Sequence, residues 1–377
     1  MIPVNEPLFE EREFEYIAEC LRTGWVSSSG RFIDDFEEAW ASYCGVPYGV
    51  AVCNGTAALQ IAVDCLGLKP GDEVIMPTFT IISCAQAITR NGAVPVLVDS
   101  DPETWCMDVS QIEARITPKT KAIMAVHIYG HPVDMDPLLE LAEKQDLHII
   151  EDAAEAHGAE YLSHFGNVDP KWRKCGSLGD ISVFSFYANK PITTGEGGMI
   201  MMKDHNLAQR ARSLRNLCFR TERRFYHTEL GYNFRMTNLQ AALGLAQVER
   251  INKIIRHKRW VGETYSEQLR DVPGLELPVE KSWAKNIYWM YGVVLNEFHK
   301  LDASEFAEHL REKGVDTRPF FLGMHEQPIF VMDGLFEGEK YPVSERLSRR
   351  GLYLPSGMTL SEDEVNQVCQ AVREVLL

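Results

Sequence analysis

The stretch Val183–Met199, VFSFYANKPITTGEGGM, sets Lys190 at the mouth of an apolar run. Burying an ammonium has to be offset by a partner or by chemistry. A lysine in such a place takes a depressed pKa and condenses with an aldehyde to a Schiff base. The glycines that follow, Gly195, Gly197 and Gly198, permit tight turns and close backbone approach. A second cluster, HIIEDAAEAHGA (His148–Ala159), delivers Glu151 and Asp152 at the end of another apolar run. A carboxylate there can hold a bound pyridine nitrogen protonated, which turns the ring into an electron sink. A third, Asn54-Gly55-Thr56, follows the apolar run Gly49–Cys53 and opens a helical pattern. Backbone amides, the helix dipole and the Thr56 hydroxyl make such a turn an anion site. Taken singly, each cluster has a plainer reading: a solvated loop lysine, a helix N-cap aspartate and an ordinary strand–helix turn.

Short apolar runs predict the strands that must carry these groups: Gly49–Cys53, Glu73–Met76, Val94–Val98, Ala122–His127, His148–Glu151, Ile181–Phe186 and Met199–Met202. Helical stretches such as Ala57–Leu66 and Pro137–Lys144 lie between them. This alternation predicts an α/β layer structure with a mostly parallel sheet, whose ligands sit at the C-terminal strand ends. After Gln247 the pattern changes. A basic helix, Val248–Arg259, leads to strand-like runs at Tyr288–Leu295 and Asp316–Phe321 and to helices at Ala303–Lys313 and Glu362–Leu377. Ser361 and Glu364 are spaced for a capping box. The expected division is a large α/β domain over residues 1–247 and a smaller α+β domain over 248–377. Leu162–Lys174 contains the turn formers Gly166, Asn167, Asp169 and Pro170 and reads as a loop or projecting hairpin.

Composition narrows the classes. The 377 residues are 45% apolar and 24% charged, as in ordinary globular proteins. The formal net charge of −16 argues against a nucleic-acid surface, which needs clustered Lys and Arg. No apolar run approaches the roughly 20 residues of a membrane helix, and Met1–Glu10 has no signal-peptide pattern. Nine scattered cysteines without metal-ligand spacing suggest free thiols in a reducing cytoplasm and no metal site.

The order of phosphate-type turn, acid after a strand, and Ser185 with Lys190 after a later strand resembles the aspartate-aminotransferase-like fold (PLP fold type I). More narrowly, it resembles the DegT group of nucleotide-sugar aminotransferases. The likeness runs from Trp25 to about Leu360 through TGWVSSSGRF, NGTAAL, GDEVIMPTFT, HIYGHPVDMDP, IEDAAEAHGA, GSLGD, SFYANKPITTGEGGM and GYNFRMTNLQAALG. It implies a seven-stranded, mostly parallel sheet with helices on both faces, plus the smaller C-terminal domain. Within the group it is strongest to the GDP-perosamine-forming branch.

The resemblance implies pyridoxal 5′-phosphate (PLP), alternating with its amine form PMP. Lys190 matches the lysine that holds the cofactor as an internal aldimine and shuttles the proton. Asp152 matches the partner of the ring nitrogen. Glu155 lies near the phenolic oxygen, where many relatives carry Gln. Gly55, Thr56 and Ser185 match phosphate ligands, and Asn189 belongs to the lysine loop. Asn233 matches a residue that reaches the phosphate from a neighbouring subunit, so a homodimer with shared active sites is implied. Two positions depart from the pattern. Ile81 stands where relatives place an aromatic ring over the cofactor, and Pro191 follows Lys190 and stiffens its loop.

Trp25, Ser27 and Ser28 resemble the segment lying against a nucleotide diphosphate. Tyr288, Trp289 and Tyr291, with Arg318, Phe320 and His325, resemble the small-domain wall of the sugar pocket. The implied reaction takes the amino group of L-glutamate to C4 of a nucleotide-linked 4-keto-6-deoxy sugar. GDP-4-keto-6-deoxy-D-mannose is favoured, and a UDP- or dTDP-linked sugar comes next. A PMP-dependent 3-dehydratase of this fold replaces the aldimine lysine with histidine, so Lys190 speaks against it. A non-catalytic binding protein has no reason to keep Lys190, Asp152 and Ser185 together.

Overall fold

The computed structural model describes residues 1–377 except 167, 168, 221, 222 and 224. The chain opens with α1 (Glu11–Thr23) and α2 (Arg31–Cys44), then β1 (Tyr48–Val52), α3 (Gly55–Cys65), β2 (Glu73–Pro77), α4 (Ile82–Arg90), β3 (Val94–Val98) and β4 (Thr120–Val126). Next come α5 (Met135–Gln145), β5 (His148–Asp152), β6 (Glu160–Ser163), β7 (Lys171–Lys174), β8 (Ile181–Ser185), β9 (Gly198–Met202), α6 (His205–Arg215) and α7 (Asn238–Val248). The remainder holds α8 (Ile251–Leu269), β10 (Leu275–Glu276), β11 (Ala284–Lys285), β12 (Tyr291–Leu295), α9 (Ala303–Glu312) and β13 (Arg318–Pro319). It closes with α10 (Pro328–Met332), α11 (Pro342–Arg350), β14 (Gly351–Leu354) and α12 (Glu362–Leu376).

A seven-stranded sheet in the order β1-β9-β8-β5-β4-β2-β3 forms the centre. Only β9 runs against the others, pairing antiparallel with both β1 and β8; the rest of the ladder is parallel. Along β8 and β9 consecutive residues are buried. Successive side chains point to opposite faces, so both faces of the sheet are covered. The shared strand direction brings the residues just beyond β1, β2, β4, β5 and β8 to one edge. All seven expected strands are present, with no end displaced by more than two residues.

A second sheet, β10-β12-β14-β13, backs a separate core that includes Tyr265, Tyr291, Val293, Phe306 and Val365. Helix α8 ties the two cores together: Ile251 and Ile254 pack into the first, Val261, Tyr265 and Leu269 into the second. Ile2 also packs in the second core and bridges to Val315. Leu162–Lys174 contributes to a hairpin in which Ser163 pairs with Lys171, and β11 adds a third strand. Asn167, read above as a turn former, lies outside the described residues. Ser361 and Glu364 form the expected capping box on α12. All nine cysteines are free.

Candidate active site

The loops at the common strand edge enclose a cavity of about 970 Å³. Gly55, Thr56, Ile81, Asp152, Glu155, Ser185, Asn189 and Lys190 all line it. Eight positions scattered over more than a hundred residues thus meet because the sheet is parallel.

At one end the start of α3 faces the cavity. The Asn54 side chain caps the helix, accepting from Ala57 N at 2.8 Å. The first-turn amides that no intrahelical carbonyl can satisfy point outward, where an anion suits both them and the dipole. A Cβ on Gly55 would come within 2.9 Å of Ser185 Cβ, so glycine alone lets α3 approach β8 this closely. Thr56 Oγ1 and Ser83 Oγ share a hydrogen bond of 2.8 Å.

At the floor, Asp152 ends β5 and is 3% exposed. No helix starts behind it. Its Oδ1 accepts from Ala154 N at 3.0 Å, and Oδ2 accepts from Cys84 Sγ at 3.1 Å. Its neighbour Glu151 points the other way and is fully buried. Glu151 accepts from the amides of Gly176, Leu178 and Gly179 at 2.7, 2.7 and 2.6 Å, and lies 3.0 Å from His127 Nε2. Burial opposes its charge, but His127 and these amides prevail and hold the carboxyl below its ordinary value. The GSLGD segment is therefore a cradle for a structural carboxylate. His157, from the same motif as Asp152, packs between Trp40, Phe184 and Phe186. Burial holds its imidazole down at about 3.

Lys190 sits between these ends. Its Nζ is 3.7 Å from Glu155 Oε1 and 3.5 Å from the centroid of the Trp289 ring. Burial lowers the pKa of the lysine, and the Glu155 charge works against that shift. Burial likewise pushes the Glu155 carboxyl up to about 7, against the pull of Lys190 and a 2.8 Å bond from Tyr129 N to Oε2. Desolvation favours the free amine, which is the nucleophile, and the neighbouring carboxylate tempers that effect. The buried Asn189 Oδ1 has no hydrogen-bond partner among the described residues. An anion cradle, a desolvated amine, an acid at the floor and an orphaned acceptor together fit PLP: Gly55, Thr56 and Ser185 for the phosphate, Lys190 for the aldehyde and Asp152 for the ring nitrogen.

The other expected positions lie elsewhere. Trp25 is 57% exposed; Ser27 and Ser28 are also exposed, and the segment is fixed by Asn238, which donates to the carbonyls of Trp25 and Ser27. Asn233 is exposed and bridges to Asn216 rather than lining its own chain's cavity. Tyr288 is packed in the second core, its ring against the place where Gly262 has no side chain. Phe320 is buried against Tyr129, Trp105 and Phe79. Arg318 is exposed and paired with Asp316 at 2.7 Å. His325 is buried, with Nδ1 2.8 Å from Thr78 Oγ1 and Nε2 3.4 Å from Glu345.

Of that expected wall only Trp289 lines the cavity, joined by Phe321 and Tyr353. Trp289 is among the residues singled out from the sequence, and Phe321 is the immediate neighbour of one, Phe320. A one-residue slip in an extended segment exchanges the two faces, and the left-handed backbone at Tyr288 (φ 49°) sets the parity there. No pattern in the sequence signals that turn.

The description "DegT/DnrJ/EryC1/StrS aminotransferase family" matches residues 7–373. The chain is 42% identical to a GDP-perosamine synthase of Caulobacter vibrioides, over 100% of this chain and 98% of that protein. It is 41% identical to a GDP-perosamine synthase of Escherichia coli O157:H7, over 99% and 98%. The crystal structure of Streptomyces venezuelae DesV with a ketimine intermediate superposes with a TM-score of 0.88 at 34% identity, covering 97% of this chain and 94% of that one.

Proposed function

Because the chain belongs to the DegT/DnrJ/EryC1/StrS aminotransferase family, and is thereby a PLP-dependent transaminase, we propose that it moves the amino group of L-glutamate to C4 of GDP-4-keto-6-deoxy-D-mannose, forming GDP-perosamine. The full-length likeness to proteins named GDP-perosamine synthase carries the choice of sugar. A UDP- or dTDP-linked 4-keto-6-deoxy sugar is the second reading, favoured by the 34% identity with a dTDP-sugar transaminase of Streptomyces venezuelae.

PLP, when bound, supplies the electron sink that stabilises a carbanion beside nitrogen. The chain does the rest. Gly55, Thr56 and Ser185 hold the phosphate. Asp152 keeps the ring nitrogen protonated. Lys190 Nζ carries the proton to and from the reacting carbons as general acid and base. Glu155 sets the charge of Lys190, and Ile81 covers the mouth of the site as an aliphatic lid.

We further propose a homodimer in which Asn233 of a second copy reaches the phosphate. Its exposure outside its own cavity supports that role. The enzyme would act in the cytoplasm, without nucleic acid or membrane, to supply an amino sugar for O-antigen-type polysaccharide. A division near residue 247 suits the second core, whose buried members other than Ile2 all lie beyond it, while the first core also draws Trp289, Phe320 and Tyr341 from that side. Among the described residues no helix is long and apolar enough to cross a membrane.

The deciding experiment is a single turnover of PLP-loaded protein with glutamate and each of the GDP-, UDP- and dTDP-linked keto sugars. A 4-amino sugar from the GDP substrate alone is expected. Amino sugar from none of the three refutes the reading, and loss of the C3 hydroxyl would instead mark a dehydratase.

A further inference from the structure

One buried cation takes no part in the chemistry described above. Lys258, on α8, is 2% exposed. Among the described residues its ammonium has no carboxylate within ion-pair reach. Its Nζ donates to Trp289 O at 2.7 Å and to Ser356 O. These two carbonyls flank the same end of the β12–β14 ladder, whose last pair is Tyr291 with Leu354. Beyond that pair the ladder no longer satisfies them, and Lys258 supplies the donors.

The Trp289 carbonyl so held belongs to the residue that covers Lys190. The indole Nε1 donates to Asn189 O at 2.8 Å, and the ring lies 3.5 Å from Lys190 Nζ. The face of an aromatic ring attracts a cation and favours the protonated form of the nitrogen it covers. A hydrogen-bonded path therefore runs from α8 through the Trp289 backbone to the side chain over Lys190.

We propose that Lys258 is a positioning residue for the active site, holding the Trp289 backbone so that the indole stays seated over Lys190. Burial without a counter-charge pushes the Lys258 ammonium down to about 7. An apolar residue of the same length would avoid that cost but would leave the Trp289 and Ser356 carbonyls without this donor. The proposal rests on Lys190 being the PLP-binding lysine.

The test follows the pH midpoint of cofactor absorbance in PLP-loaded wild type, Lys258→Met, Trp289→Leu and the double variant, with melting temperatures alongside. Each single variant is expected to lower the midpoint by about half a pH unit, the size of a lost cation–π contact. The double variant is expected to go no lower than the larger single one, because both act through the same ring. A midpoint that stays put while only the melting temperature changes would reduce Lys258 to a structural tie. An upward shift would mean that its charge acts through space, and additive shifts would mean separate routes; either overturns the proposal. If Lys258→Met does not fold, Lys258→Gln, which keeps a neutral donor, takes its place with a smaller downward shift expected. Wild type that forms no aldimine absorbance band with PLP overturns the assignment of Lys190, and this proposal with it.

Discussion

Lys190 Nζ stands 3.7 Å from Glu155 Oε1, and both side chains are withdrawn from water. Burial pushes the two groups toward neutrality from opposite sides, and their attraction pulls them back. The carboxylate therefore favours the protonated lysine, while capture of an aldehyde needs the free amine. Glu155→Gln removes that pull. We expect the pH midpoint for PLP capture by cofactor-free protein to fall by about one unit. Stopped-flow absorbance over a pH series measures it, and an unchanged or higher midpoint contradicts the coupling.

Lys190→Ala should leave the chain folded, because burial already favours the neutral form of Glu155, which takes up a proton once its partner is gone. It should abolish both the cofactor absorbance band formed with PLP and turnover with keto sugar. Full turnover in this variant would refute the assignment of Lys190.

Asp152→Asn keeps the size of the side chain and its bond from Ala154 N, and loses the negative charge. A fall in kcat of roughly 100-fold or more is expected, with a melting temperature close to wild type. Steady-state kinetics beside calorimetry separate this from unfolding; a kcat within a few-fold of wild type removes Asp152 from the chemistry.

Glu151 predicts the opposite pattern, a defect of stability. Glu151→Gln replaces an acceptor that serves three amides and His127. A loss of about 3 kcal/mol is expected from donors left without a charged acceptor. Because the folded pKa lies below the ordinary 4.5, the unfolded chain takes up the proton first on acidification. The wild-type contribution is thus fully present above about pH 5 and fades as pH falls through the lowered folded value. Urea unfolding at pH 7 and pH 4 should show the gap between wild type and variant narrowing in acid. A gap of constant size would count against a carboxylate that is charged in the folded protein.

If Asn233 serves the neighbouring subunit, Lys190→Ala and Asn233→Ala chains should complement each other. A hybrid dimer carries both defects in one site and leaves the other intact. Mixing the two inactive variants after partial unfolding should restore about a quarter of wild-type activity. No recovery, with dimers shown to exchange, would place Asn233 in its own chain's structure.

What the sequence determined is the scaffold and the reactive inventory. The strands carry near-continuous apolar runs because a parallel sheet is covered on both faces, and such runs show without coordinates. Lys190, Asp152, Gly55 and Thr56 follow those runs directly, so strand direction alone carries them to one edge. The Ser361–Glu364 capping box is equally local and equally visible. Tertiary structure alone decided the facing of neighbours. Glu151 and Asp152 are chemically alike and adjacent, yet one turns to His127 and three amides and the other to the cavity. Tyr288 and Phe320 enter the cores while Trp289 and Phe321 line the site. Side chains alternate across a strand with a period of two, so one unforeseen turn reverses every assignment beyond it. The tie from Lys258 to Trp289 spans 31 residues. It exists because α8 packs against the end of a β-ladder, a juxtaposition that no local pattern encodes.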